Sequence, residues 1–186
     1  MNSRISKGYW VWGQFDATTT DLINSLYQRI NNKLNGPNFD IHLTISGPFN
    51  YDKEKHKETF KVISSKFNQI ELQLKGFSKT DEFFRSLFID VAQNENLNNL
   101  KDYIDNNFNI HSFEYCPHIS LFYGIKDDAI KNEIIRKFKA PKSAIMDKIS
   151  VVKVDEEINS WKVLKSYSLL QLSQQQWDSL DEGIFS

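Results

Sequence analysis

The chain predicts an α+β fold, bilobal, in which two pseudo-symmetric strand-and-helix units set antiparallel sheets around a central cleft. Two observations carry this prediction. The order strand, helix, strand, helix, strand runs twice along the sequence, and two look-alike segments, His42-Leu43-Thr44-Ile45 and His118-Ile119-Ser120-Leu121, occupy the same place in each run. The spacing agrees: 30 residues separate Trp12 from His42 and Phe88 from His118, and the two histidines lie 76 positions apart. Identity between the halves is thin outside these segments, so the repeat is one of architecture. A single bilobal domain is expected over 1–186, with units at about 8–77 and 83–154, a final strand at about 161–172 and a tail at 173–186.

Each element follows from local pattern. Residues 9–15, Tyr-Trp-Val-Trp-Gly-Gln-Phe, are an aromatic β-rich run that ends at Asp16. Thr20 or Asp21 can cap a helix carried by Leu22, Ile23, Leu26, Ile30 and Leu34, which Asn35-Gly36-Pro37 stops. The first histidine strand spans 40–46 and breaks at Gly47-Pro48; a second helix over about 52–67 buries Phe60, Ile63 and Phe67. Residues 70–77 alternate as a half-buried strand. The second run gives a strand at 84–92 and a helix at 97–108 on Leu97, Leu100, Ile104 and Phe108. The second histidine strand follows at 116–123, then a helix at 127–138 on Ile130, Ile134, Ile135 and Phe138, and a strand at 144–154. In the tail, Trp177, Leu180, Ile184 and Phe185 fit a short amphipathic helix packing on the body.

Composition narrows the function classes. With 186 residues, of which 40% are hydrophobic, the chain can bury a substantial core. Lysine plus arginine (23) and aspartate plus glutamate (24) nearly cancel, leaving no bulk attraction for long polyphosphates or anionic membranes. A nucleic-acid substrate would be small or gripped at one end. No apolar run approaches the roughly 20 residues of a membrane span, and the N-terminus lacks a signal-peptide core, which fits a soluble, cytoplasmic protein. Cys116 is the single cysteine, so no intrachain disulfide or cysteine-rich zinc site forms. It reads as a small buried hydrophobe.

No glycine-rich phosphate loop, zinc helix motif or nucleophile elbow is present. The histidine strands therefore carry the chemistry. Alternation along a strand puts His42 with Thr44 on one face, and His118 with Ser120 likewise, opposite the apolar residues between them. Two imidazoles flanking a phosphodiester suit general acid-base catalysis, one taking a proton from water and the other giving one to the departing oxygen. Thr44 and Ser120 are placed to donate hydrogen bonds to nonbridging phosphate oxygens. An imidazolium and two hydroxyls around a monoanionic diester leave no need for a metal or other cofactor. His56, between Lys55 and Lys57, and His111, in a loop, read as solvated and receive no role.

The paired His-apolar-Thr and His-apolar-Ser strands resemble the two-histidine (2H) phosphoesterase superfamily, which includes RNA 2',5'-ligase-like proteins. The likeness is greatest to the plant and yeast type cyclic phosphodiesterases. It extends to residues 9–12, Gly36-Pro37-Asn38-Phe39, the Phe83-Phe84 pair, the run 117–123, and residues 151–155 followed by Trp161, covering about 8–170. The resemblance implies a bilobal fold with the cleft between lobes and metal-free opening of a cyclic phosphate on ribose. The substrates it implies are nucleoside 2',3'-cyclic phosphates or the cyclic phosphate of ADP-ribose. Carried over, His42 and His118 are the acid-base pair and Thr44 and Ser120 the phosphate donors. Tyr123, Trp12 and Phe84 fall where the family places aromatics about the nucleotide, although aromatic strands also pack cores. The single cysteine departs from the plant proteins and their disulfides.

Three functions remain open on these grounds: a hydrolase of small cyclic or 2',5'-linked nucleotides, signalling nucleotides among them, acting as a monomer, a ligase-like or RNA-end-binding protein using the same cleft, and an interaction module with a vestigial site. Which histidine is acid and which is base is not fixed by the sequence.

Overall fold

A computed structural model describes residues 7–111 and 114–171. In chain order the elements are β1 (Gly8–Phe15), α1 (Ala17–Leu34), β2 (Leu43–Phe49), α2 (Lys53–Lys66), β3 (Ile70–Lys79), β4 (Leu87–Val91), α3 (Glu95–Phe108), β5 (His118–Phe122), α4 (Asp128–Lys137), β6 (Ser143–Val154) and β7 (Lys162–Ser168). Short 3-10 turns lie at Phe83–Arg85 and Ile158–Ser160. The tail residues Trp177, Leu180, Ile184 and Phe185 lie outside the described residues.

The seven strands run in the order β1-β2-β5-β4-β3-β6-β7, and β1 also pairs with β6, so six of them close a ring. Exchanging β1 with β4, β2 with β5 and β3 with β6 maps that ring onto itself. The predicted pseudo-symmetry is therefore visible in the pairing. It is visible in the register too: Trp12 lies opposite Thr44 as Phe88 lies opposite Ser120. The antiparallel sheets expected of two units form one continuous sheet, joined on one side by the long β6, whose start pairs with β3 and whose remainder pairs with β1 and β7. On the other side the join is a single pair between the two histidine strands, Leu43 opposite Ile119.

The first helix of each half packs on the histidine strand of the other half, α1 on β5 and α3 on β2. Both helices begin on a side-chain cap, Asp16 accepting from the Thr19 N–H and Asn94 from the Leu97 N–H. Both end on a left-handed asparagine, Asn35 (φ 53°) and Asn109 (φ 51°). Between helices and sheet lies one core shared by both halves, which includes Leu43, Ile45, Ile119 and Leu121. These four are almost wholly buried, at about 2 kcal/mol of transfer free energy each. Burial of that face turns the opposite face of the same strands outward.

Several boundaries differ from the sequence reading. Helix α1 starts at Ala17, capped by Asp16 rather than by Thr20 or Asp21. Strand β2 starts at Leu43, because residues 40–42 lie beyond the ladder with β1, which ends at Gly13 opposite Leu43. It also runs through Gly47-Pro48 to Phe49. A register shift in the β1–β2 ladder absorbs the proline, which a strand tolerates at such an irregularity. Gly47 has φ +138°, with the Trp10 ring 2.8 Å from where a Cβ would sit, so only glycine fits. Phe84 lies in the 3-10 turn before β4, not in a strand. The final strand is shorter than 161–172, with Trp161 just ahead of β7.

Helix α4 buries Lys131 and Ile134, while Ile130 is exposed. The lysine reaches the Thr80 carbonyl and the carboxylates of Asp81 and Asp128, which is what makes its burial tolerable. Cys116 is exposed rather than buried, in the segment ahead of β5. His56 is half-buried among Tyr51, Phe49 and Phe108, and its Nδ1 accepts the Asp52 N–H at 3.0 Å. His111 is exposed, as expected.

Candidate active site

Where the histidine strands meet, Leu43 and Ile119 face the core, so their neighbours face away from it. Antiparallel register around that pair sets His42 beside Ser120 and Thr44 beside His118. Four polar side chains thus form a patch on adjoining strands, and all four line one cleft of about 260 Å³. Trp12, Phe84 and Tyr123 line it as well, so the seven residues singled out in the sequence converge.

Both imidazoles are held the same way. The His42 ring lies 2.6 Å through Nδ1 from the Asp40 carbonyl, and the His118 ring 2.9 Å through Nδ1 from the Cys116 carbonyl. A carbonyl oxygen only accepts, so each Nδ1 carries the proton and each neutral ring keeps its lone pair on Nε2. Burial pushes the His42 pKa down to about 4; its bond to Asp40 opposes the shift and positive charge on nearby His118 adds to it. His118 is also lowered, chiefly by burial and further by Arg85, against the Cys116 bond and the carboxylates of Asp90 and Glu82.

The surroundings of the two rings differ. Trp12 stacks flat on His42, with centroids 3.5 Å apart and planes 6° apart, and is itself only 3% exposed. Its counterpart Phe88 meets His118 at a steep angle, 64° and 5.1 Å. Asp90 lies directly across the ladder from His118, its carboxylate accepting from the Ser78 hydroxyl at 2.6 Å. The Ser120 hydroxyl donates to the Phe84 carbonyl over a long 3.4 Å. The Tyr123 hydroxyl is buried, and its pKa is raised by that burial, while Ser120 bonds to it. Phe39 covers one face of Tyr123, at 4.0 Å between centroids.

The cleft also holds residues to which the sequence reading gave no site role: Trp10, Glu82, Arg85, Val154 and Trp161. Trp161 is fixed by its indole N–H on the Asp155 carbonyl, 2.9 Å away, and its ring approaches Phe84 (6.1 Å) and Tyr123 (5.8 Å). The likeness at Trp161 was a signal of sorts. For Arg85 there was none, because the position 76 residues earlier is Tyr9. Among the described residues no group of three or more His, Cys, Asp or Glu side chains is placed to hold a metal ion. No helix among them is long and apolar enough to cross a membrane.

A seven-stranded antiparallel sheet, six of its strands in a ring, with a histidine and a hydroxyl residue from each half in one cleft defines the two-histidine phosphoesterase class. The family model of the 2'-5' RNA ligase superfamily matches residues 25–157, well over half of the chain, and the chain belongs to that superfamily. No curated protein sequence matches the chain significantly. Among solved structures, apo LigT of E. coli is similar at 14% identity, covering 89% of this chain and 98% of that one, with a TM-score of 0.62. LigT complexed with 3'-AMP matches at 11% identity over 89% and 99%, TM-score 0.58. TT0787 of Thermus thermophilus matches at 10% over 89% and 99%, TM-score 0.55. At these identities the likeness is one of fold.

Proposed function

We propose that the chain hydrolyses a cyclic phosphate on ribose, either a nucleoside 2',3'-cyclic phosphate or the cyclic phosphate of ADP-ribose, with His42 as general base and His118 as general acid. The observation that carries this reading is the matched tethering of the two rings, which leaves both Nε2 atoms free in one cleft beside Thr44 and Ser120. LigT, a relative in fold, has been solved with 3'-AMP and with ATP, so a small nucleotide suits a cleft of this kind.

The reaction follows from the asymmetry of the surroundings. His42, buried under Trp12, is neutral and takes the proton from a water as its oxygen bonds to phosphorus. The bond from phosphorus to one ribose oxygen breaks, and that oxygen takes the proton from His118 Nε2. Burial and Arg85 lower the His118 pKa, and the Cys116 carbonyl, Asp90 and Glu82 oppose that shift, which supports its protonated state as a proton donor. Thr44 and Ser120 donate to the nonbridging oxygens as their charge grows. The product is a ribose phosphate monoester, and the histidines end with their protons exchanged.

Trp12 then acts by holding His42, since its ring faces that imidazole; Tyr123 is likewise covered by Phe39. Phe84 and Trp161, each half-buried at the cleft, are rings available to stack on a base, worth roughly 1–3 kcal/mol per stacked base. The test is a hydrolysis panel of 2',3'-cyclic mononucleotides, 3',5'-cyclic nucleotides and 2',5'-linked dinucleotides, with and without a chelator, read by phosphorus NMR. Chelator-insensitive conversion of the 2',3'-cyclic compounds is expected. Turnover of the 2',5'-linked compounds alone would replace the proposal with 2',5'-phosphodiesterase activity.

A further inference from the structure

We infer that Arg85 is a further catalytic residue: its guanidinium grips the reacting phosphate on the His118 and Ser120 side and offsets the negative charge that builds on it. The inference rests on the cleft being a phosphodiester site.

A diester enters with one negative charge and gains a second as water adds to phosphorus. Two neutral hydroxyls, a neutral His42 and an imidazolium that gives up its proton during the reaction offset that charge poorly in a site walled by Trp10, Trp12, Phe84, Val154 and Trp161. Among the described residues lining the cleft, Arg85 is the one with a permanent positive charge. Its Nε is buried and makes no hydrogen bond, which is costly for a charged donor unless an acceptor arrives. A phosphate oxygen is the acceptor its geometry suits, as guanidinium N–H groups pair with phosphate oxygens.

The surrounding contacts place Arg85 at the reacting end of the cleft. The guanidinium carbon sits 4.7 Å over the Phe88 ring, and the same ring contacts His118 at 5.1 Å. Phe88 lies opposite Ser120 in the ladder, and the Ser120 hydroxyl donates to the carbonyl of Phe84, the residue before Arg85. Phe83, in the same turn, accepts the Gly124 N–H at 2.9 Å, which ties the turn to the end of β5. Arg85 is thus anchored to the strand that carries His118 and Ser120. Its counterpart in the first half is Tyr9, so Arg85 breaks the pseudo-symmetry and fixes which way round a substrate binds.

The experiment uses the full chain and the variants Arg85→Gln, Arg85→Met and Arg85→Lys, the methionine keeping an apolar stem over Phe88. Inorganic phosphate binding is measured by calorimetry, and turnover of 2',3'-cyclic AMP in parallel. Both neutral variants are expected to weaken phosphate binding about tenfold or more and to lower kcat about 100-fold with a smaller change in KM, while lysine restores part of both. Thermal unfolding identifies any variant that has not folded, and the folded ones decide the matter. Unchanged phosphate binding and kcat in a folded neutral variant would overturn the assignment. Weakened phosphate binding in a protein that opens no cyclic phosphate would uphold the Arg85 contact and instead count against the proposed substrate.

Discussion

At the scale of single residues, the tethers on His42 and His118 decide what each ring can do. With Nδ1 committed to a backbone carbonyl, every proton gained or lost at the cleft passes through Nε2. The depressed pKa values then set the pH dependence. His42 as base must be neutral, and it stays so down to about pH 4. His118 as acid must be protonated, and its pKa also lies below the ordinary 6.5. The product of these two fractions peaks between the two values. We expect kcat/KM on a 2',3'-cyclic nucleotide to be greatest below about pH 6.5 and to fall as pH rises past it, which a pH-rate profile of the free enzyme measures. A profile still rising at pH 8 would contradict the pairing of a neutral His42 with a protonated His118. The four polar residues were legible because strand alternation needs only sequence spacing. Arg85 was not, because a turn brings it to the cleft and turns leave no periodic trace; Trp161 was marked only by the family likeness.

At the scale of elements, the first histidine strand is braced by α3 of the opposite half. Asp105 accepts from the Ser46 hydroxyl on β2 and pairs with Lys101 one turn away, and both charged groups are nearly buried. Tyr115 adds a bond from its hydroxyl to the Thr44 carbonyl at 3.2 Å. Removing the carboxylate takes this counter-charge from a nearly buried ammonium and an acceptor from Ser46. Asp105→Ala is therefore expected to lower stability by about 3–5 kcal/mol in urea unfolding, and a loss below about 1 kcal/mol would show that the brace does not matter. None of this was legible, since Ser46 and Asp105 are 59 positions apart and neither belongs to a pattern. Helix extents were legible to within about two residues from apolar spacing alone, except at the start of α1, where Asp16 outcompetes Thr20 and Asp21 as the cap. The reach of β2 past Gly47-Pro48 was hidden, because a proline is a break in sequence and a tolerated irregularity in a ladder.

At the scale of the whole molecule, the pseudo-twofold ring brings two segments 76 positions apart to adjoining strands, meeting at Leu43 and Ile119. The repeat was legible in the matched 30-residue spacings, and the register confirms it in the pairs Trp12 with Thr44 and Phe88 with Ser120. The closure of the sheet through β1 and β6 was not, because it depends on β6 running from one half to the other. Each half thus contributes one histidine to the cleft, and neither half alone holds both. The most direct measurement is the rate of 2',3'-cyclic AMP opening by wild type, His42→Ala, His118→Ala and the double variant, followed by phosphorus NMR. Rings that act as one unit predict that each single variant loses about 10³-fold or more in kcat and that the double variant is little worse than either. A single variant that retains wild-type turnover would contradict the paired mechanism.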